Sequence, residues 1–208
     1  MSNSLKKQPS QKRSQERVQK ILVSCSDLLR KEGLQSLTMP KLAKAASVSV
    51  GSLYQYFENK QAVLQALYED YLLTLRRLIS DFLPELEGYQ DWKEGMGQLL
   101  ENLFEAEQAS GTMSELNQAM QLYPEMEALD ERHQKEVSAL LIQVLKHYDF
   151  PGSKSQLEQL MNFTYAINIG TWSYRTRFSS PKQLKQANHW EKVATIAVLE
   201  DYLLSFEG

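Results

Sequence analysis

Between residues 60 and 82 the apolar positions are Val63, Leu64, Leu67, Tyr68, Tyr71, Leu72, Leu75, Leu78, Ile79 and Phe82. This three-four spacing places them on one stripe of a single α-helix. At 1.5 Å per residue the helix is about 35 Å long, enough to reach from one small domain into another. Asn59 is placed to cap its start, and Pro84 and Gly88 to stop it. Any fold open to this chain must therefore be built around a long helical rod.

The rest of the chain reads the same way. Residues 14–32 carry Val18, Ile21, Leu22, Cys25, Leu28 and Leu29 on one stripe, and Gly33 follows where a left-handed cap is wanted. A short helix over 39–45 is predicted, with Thr38 as its cap and Pro40 in its first turn. It turns Leu42, Ala43 and Ala46 inward and Lys41 and Lys44 outward. A turn at Ala46-Ser47-Val48 leads to a third helix over 49–56. Beyond the rod, helices are predicted at about 89–108, 112–122, 125–148, 153–178 and 188–206. Gly111, Tyr123-Pro124, Pro151-Gly152 and Ser179-Ser180-Pro181 mark the breaks. No strand pattern competes and no internal repeat appears. The expected fold is all-α: an N-terminal three-helix unit followed by a larger helical bundle.

Composition narrows the partners. Apolar content of 42% and charged content of 24% are ordinary globular values. No apolar run approaches the roughly 18–20 residues that cross a bilayer, and the first residues lack the apolar centre of a secretory signal. Cys25, the single cysteine, has no internal disulfide partner and lies inside an apolar stripe, where it reads as core. A cytoplasmic location is the expectation.

The net charge of −3 conceals an asymmetry: residues 1–60 hold eleven Lys and Arg against four Asp and Glu, and residues 61–208 hold twelve against 22. A basic end suits a polyanion.

Two short helices joined by a tight turn form a helix-turn-helix pattern, whose second helix enters the major groove of DNA. Its outward residues must be small or polar near the helix start, and Ser49, Val50, Gly51 and Ser52 meet that need. Val48, Leu53 and Phe57 fall on the inward side. Tyr54 and Tyr56 can each lay a ring on the protein and aim a hydroxyl at a phosphate. Lys60, opening the long helix, and Thr38, opening the second, can also reach phosphates. The bland alternative makes the tyrosines partly buried core and leaves Lys60 merely exposed.

The run "SLTMPKLAKAASVSVGSLYQYFENKQAVLQAL" resembles the DNA-binding region of the TetR family of bacterial transcriptional regulators, over roughly residues 15–70. Thr38-x-x-x-Leu42-Ala43, Val48-Ser49-Val50-Gly51-x-Leu53-Tyr54 and Tyr56-Phe57-x-x-Lys60-x-x-Val63-Leu64 carry the likeness. Ser47 departs from it, standing where the family usually has glycine. The resemblance implies a homodimer with two reading heads on a palindromic operator of double-stranded DNA, spaced near one helical turn, roughly 34–36 Å, or a multiple. It implies DNA contacts from Thr38, Ser49, Val50, Gly51, Ser52, Tyr54, Gln55, Tyr56 and Lys60. Gln55 is placed to pair with adenine. A basic arm over 1–13, with Lys6, Lys7, Lys12 and Arg13, and Arg17 just beyond it, would add non-specific phosphate contacts.

On this reading residues 14–60 form the DNA-binding domain, the helix to residue 82 is the link, and 61–208 sense and dimerise. The last two long helices carry Leu157, Leu160, Met161, Ile167, Trp172, Trp190, Val193, Ile196, Ala197, Leu199 and Leu203, a broad apolar face. Such a face fits either a dimer interface, which the resemblance implies, or the centre of a monomeric bundle. For a small-molecule effector the candidate contacts are Trp92, Met96, Phe104, Met113, Met120, Tyr123, Tyr165, Asn168 and Trp172, since methionines and aromatics adapt to apolar ligands. Gly95 and Gly97 inside a helix point to close packing or a soft spot. Glu94, Glu101, Glu105 and Glu107 read as a solvated face.

His133, His147 and His189 lack ligand spacing, and no nucleophile motif or phosphate loop appears. Neither enzyme chemistry nor a cofactor is expected. The sequence thus predicts a dimeric regulator, most naturally a repressor released from its operator by a small ligand. The alternative is a similar DNA-binding protein under a protein partner's control, or acting architecturally.

Overall fold

The computed structural model describes residues 12–178 and 180–206 of the chain. Among these residues every regular element is helical: α1 (Lys12–Glu32), α2 (Met39–Ala45), α3 (Val50–Tyr56), α4 (Lys60–Phe82), α5 (Trp92–Ser110), α6 (Met113–Leu122), α7 (Glu125–His147), α8 (Lys154–Arg175) and α9 (Pro181–Leu204). Short 3-10 turns occupy Leu34–Ser36 and Leu83–Gly88. Of the expected basic arm, Lys6 and Lys7 lie outside the described residues, whereas Lys12 and Arg13 already belong to α1.

The chain divides into two compact units. The first is Met1–Leu73 with Ser110–Leu129, and the second is Thr74–Ala109 with Asp130–Gly208. The division falls inside α4, so that one continuous helix contributes residues to both.

In the first unit, α1 packs on α2 and α2 on α3. Ile21, Cys25 and Leu29 from α1, Leu42 and Ala43 from α2, Leu53 and Phe57 at α3, and Val63, Leu64 and Tyr68 from α4 are almost fully buried together. Leu116 and Ala119 of α6 complete this core. Thr38 and Asn59 cap α2 and α4 as their residue types dictate: Thr38 accepts from the Lys41 amide, and Asn59 Oδ1 from the Ala62 amide at 2.9 Å. Gly33 has the positive φ expected, 74°, but with an extended ψ of 169° rather than a left-handed cap.

The second unit is centred on Ile79, Phe82, Met96, Leu99, Val144, Leu145, Leu157, Met161 and Leu199. Ser153 and Gln156 form a capping box at the start of α8. Gly95 and Gly97 mark close packing: a Cβ on Gly95 would stand 2.1 Å from the Tyr148 hydroxyl, and one on Gly97 would stand 2.8 Å from Lys192 Cε.

Two helix starts differ from expectation. α5 begins at Trp92 rather than 89, because Asp91 Oδ1 accepts from the Lys93 amide at 2.8 Å and anchors the first turn there. α9 begins at Pro181 rather than 188. Proline suits the first turn of a helix, where its missing N–H would have no partner. The segment "KQLKQAN" that follows has only Leu184 and Ala187 as apolar positions, too short a stripe to announce a helix.

Candidate functional site

The helix-turn-helix is set by its turn. Ser47 takes a φ of 53°, its amide donates to Lys44 O at 3.1 Å, and the Val48 amide donates to Ala43 O at 3.0 Å. These two bonds form a Schellman closure of α2, with serine in the left-handed position that glycine usually holds. Ser49 then caps α3, its Oγ accepting from the Ser52 amide at 3.0 Å. An accepting hydroxyl keeps its own hydrogen for another partner, so Ser49 and the exposed Thr38 both remain able to donate outward.

Leu53 and Phe57 fix the inner side of α3, both fully buried. The outer side presents Ser49, Val50, Gly51, Tyr54 and Gln55, all exposed, with Ser52 half-buried at the edge. A Cβ on Gly51 would meet no heavy atom within 4 Å. Its small size therefore serves nothing in the fold and leaves room for something outside it. Lys60 stands half-exposed at the first position of α4.

Tyr56 sits differently from Tyr54. Expected outward with Tyr54, it is 7% exposed and belongs to the core, and its hydroxyl accepts from Ser14 Oγ at 3.1 Å. Residues two apart on a helix point about 200° away from each other, so the two tyrosines cannot share a face. Tyr54, at 44%, is the exposed one.

Lys41 and Lys44 are outward as expected. Lys41 Nζ lies 2.9 Å from Glu32 Oε2, and that bond holds the Glu32 carboxyl below its usual range. Arg13 and Arg17 are exposed on α1. The Cys25 thiol, pushed up to about 12 by burial, is inert core.

The second unit holds a cavity of about 90 Å³ that is partly open to the outside. Of the residues expected around a ligand, Met96, Tyr165 and Asn168 line it. Trp92 instead stacks edge-on against Phe150 with centroids 5.2 Å apart, Phe104 lies under the Arg175 guanidinium at 5.2 Å, and Trp172 is buried off the wall. Met120 and Tyr123 pack against the core of the first unit, which removes them from any cavity of the second. The Met113 side chain lies outside the described residues. Residues 96, 99, 100, 103 and 107 form the stripe that α5 turns to the cavity, and Phe104 is rotated off it.

Sequence reasoning placed Tyr165 and Asn168 on the polar side of this cavity but missed the rest of it. Glu107, assigned above to a solvated face, is buried, and its Oε2 lies 2.6 Å from Arg175 Nη2. Arg175 also bonds Glu191, which accepts in addition from Asn168 Nδ2 at 2.8 Å and from the Thr171 hydroxyl. His133 is buried, and burial together with the nearby Arg76 charge lowers its pKa to about 4, so it is neutral. Tyr165 donates to Asp130 at 2.9 Å, and burial raises its pKa.

The expected pairing face is likewise divided. Leu157, Leu160, Met161, Trp172 and Leu199 are buried within the unit. Phe163, Tyr174, Trp190, Val193 and Leu204 stand exposed on α8 and α9, between 39% and 58%.

Comparison with known proteins agrees with this geometry. Residues 21–67 match the family described as bacterial regulatory proteins, tetR family. An uncharacterized HTH-type transcriptional regulator of Haemophilus influenzae is 35% identical over 80 residues, covering 36% of this chain and 43% of that protein. The nucleoid occlusion factor SlmA of Haemophilus ducreyi is 41% identical over 81 residues, covering 38% and 40%. The chain thus matches about two fifths of the length of these curated relatives. A TetR-family regulator from Streptomyces coelicolor shares the fold over 89% of this chain and 99% of its own, with a TM-score of 0.66 at 18% identity. The reading head thus matches the TetR family of bacterial regulators over residues 21–67, and the chain as a whole shares the fold of a TetR-family regulator.

Proposed function

We propose that the protein is a dimeric, sequence-specific DNA-binding transcriptional repressor, released from its operator by a small molecule bound in the second unit. The observation that carries this reading is the outer side of α3. It offers small residues at its start, a glycine with open space beside it, the exposed Tyr54 and the exposed Gln55, all held by a buried inner side. Thr38 and Lys60 flank it with donors suited to phosphate oxygens.

Two copies would pair through the exposed apolar stripe of α8 and α9. A stable pairing of this kind buries about 1,200–2,000 Å² and draws on aromatic residues such as Trp190, Phe163 and Tyr174. The cavity supplies the control. Leu75 and Ile79 of α4 are in its wall, while Val63, Leu64 and Leu67 of the same helix are in the core of the reading head. A ligand that shifts the C-terminal part of α4 would thereby act on the head. To move the operator from almost full to almost empty it must favour the released state by about 5.5 kcal/mol.

The alternative, control by a protein partner or a purely architectural role, draws on the relative named as a nucleoid occlusion factor. A cavity with buried polar side chains in its wall favours the small molecule. The test is to incubate the purified protein with fragmented chromosomal DNA at about 150 mM salt and sequence what is retained. A shared palindrome with half-sites one or more helical turns apart is expected, and retention without any shared sequence refutes the proposal.

A further inference from the structure

Most polar groups in the wall of the second unit's cavity are engaged within the protein. Glu107 and Glu191 both hold Arg175. The Thr164 hydroxyl donates to Met161 O at 3.0 Å, Tyr165 donates to Asp130 at 2.9 Å, and Asn168 Nδ2 donates to Glu191 at 2.8 Å. His133 is an exception. It lines the same cavity from α7, is 4% exposed, and its Nδ1 has no hydrogen-bond partner. Buried polar atoms are rarely left unpaired, so one in a cavity wall marks a place for an atom that the protein does not supply. Two more buried donors lack partners, Arg175 Nε and Trp172 Nε1, but neither residue lines the cavity.

The state of the ring restricts what that atom is. Burial, with the Arg76 charge as a lesser cause, lowers the His133 pKa to about 4, so the imidazole is neutral at pH 7. A place dry enough to keep an imidazole uncharged also disfavours a charged ligand head beside it, ammonium or carboxylate alike. A neutral imidazole carries its hydrogen on one nitrogen only, so Nδ1 is either an acceptor or a donor. A hydroxyl group answers both cases, because it donates one hydrogen bond and accepts others. An ammonium answers only the first case, and a carboxylate only the second.

We infer that the cavity takes a small apolar molecule bearing one neutral hydroxyl group, an alcohol or a phenol, whose oxygen pairs with His133 Nδ1 while its hydrocarbon part lies among Leu99, Leu103, Val137 and Met161. The inference rests on the reading of this cavity as the effector site and names the class of effector. The cavity measures about 90 Å³ and is partly open. Since a cavity of about 150 Å³ accepts benzene, a narrow chain of about five carbons suits this one.

The test is an NMR titration of the full chain at pH 7 with pentanol, pentyl chloride, pentylamine and pentanoate, following the imidazole nitrogens of His133. Pentanol should bind more tightly than the amine and the carboxylate, and its binding should shift the Nδ1 resonance. His133→Phe keeps a ring but removes both nitrogens. It should weaken pentanol about fivefold, the range of one neutral hydrogen bond, and leave the chloride unchanged. If that variant does not fold, the resonance of the wild-type protein decides alone. An Nδ1 resonance that stays in place with pentanol bound, an equal loss of pentanol and chloride in the variant, or no binding of pentanol overturns the inference. Pentylamine or pentanoate as the tightest ligand also overturns it, and pentanoate would hand the site to the Arg175 Nε donor. Operator release, read separately in the same samples, keeps the two proposals apart. Pentanol binding without release upholds the ligand class and refutes the gating, whereas release by pentylamine or pentanoate alone does the reverse.

Discussion

Arg175 of α8 donates through Nη2 to Glu107 of α5 at 2.6 Å, with both side chains buried. The same guanidinium holds Glu191 of α9, so one cation ties three helices of the second unit together. Removing it takes away the cation that both buried carboxylates bond. Arg175→Met should therefore cost about 3–5 kcal/mol in urea unfolding, the range for breaking a buried ion pair from one side. Adding Glu107→Gln and Glu191→Gln to that variant should return most of the loss. A loss that persists in the triple variant would mean that Arg175 contributes by packing rather than by charge.

His133 makes the same unit sensitive to acid. Burial, with the Arg76 charge as a lesser cause, lowers its folded pKa from 6.5 to about 4. The unfolded chain thus binds the proton more readily, and its contribution to stability is fully present above pH 6.5. It is lost as the pH falls through about 4. At 1.36 kcal/mol per unit the loss amounts to about 3 kcal/mol. Other groups face the imidazole: the Tyr165 ring at 6.3 Å, whose hydroxyl is bonded to Asp130, and Arg76, which is paired with Glu136 at 2.8 Å. His133→Gln should flatten the fall in unfolding free energy between pH 6.5 and 4. An unchanged slope would assign the acid sensitivity to other groups.

The chain's helices were legible because each apolar stripe is long and each cap uses a residue of the expected type. Thr38, Ser49 and Asn59 all cap where their chemistry says they should. What stayed hidden depended on partners far away in sequence. Glu107 looks like any solvated glutamate until Arg175, 68 residues later, arrives beside it. The start of α9 was missed because Leu184 and Ala187 are the only apolar residues over 182–188, too few to mark a stripe, although Pro181 was correctly marked as a boundary. Tyr56 could have been placed from its spacing alone, since Tyr54 and Tyr56 fall on opposite sides of any helix. The exposed side of α3 was therefore largely legible in the sequence, whereas of the polar wall of the cavity only Tyr165 and Asn168 were.

The two tyrosines of α3 give opposite outcomes on losing the same atom. Tyr56→Phe removes the acceptor for Ser14 and should cost about 0.5–1.5 kcal/mol of stability, with operator affinity of the folded protein unchanged. Tyr54→Phe should leave stability unchanged, because the residue is exposed, and should weaken operator binding. Thermal unfolding and a binding isotherm on each variant decide the matter. A swapped pattern would place Tyr56, not Tyr54, on the DNA.

Lys60 contributes by charge rather than by base reading, if it contacts DNA as proposed. Lys60→Ala should then weaken binding to operator and random duplex alike, and lower the slope of log affinity against log salt by about 0.9. A slope equal to that of the parent protein would exclude a phosphate contact at this position.

Gly51 separates stability from function most cleanly. Glycine inside a helix costs about 1 kcal/mol relative to alanine, and a Cβ at this position touches nothing in the fold. Gly51→Ala should therefore stabilise the reading head, by up to about 1 kcal/mol in thermal or urea unfolding. If α3 approaches the major groove through its Ser49–Ser52 end, the same methyl group must stand between backbone and base edges, and operator affinity should fall as stability rises. Substitution by valine should deepen the loss of binding, because its larger side chain intrudes further. A Gly51→Ala protein that is both more stable and equally tight on its operator would show that this end of α3 does not approach the DNA closely, and the docking proposed for the helix would have to be abandoned.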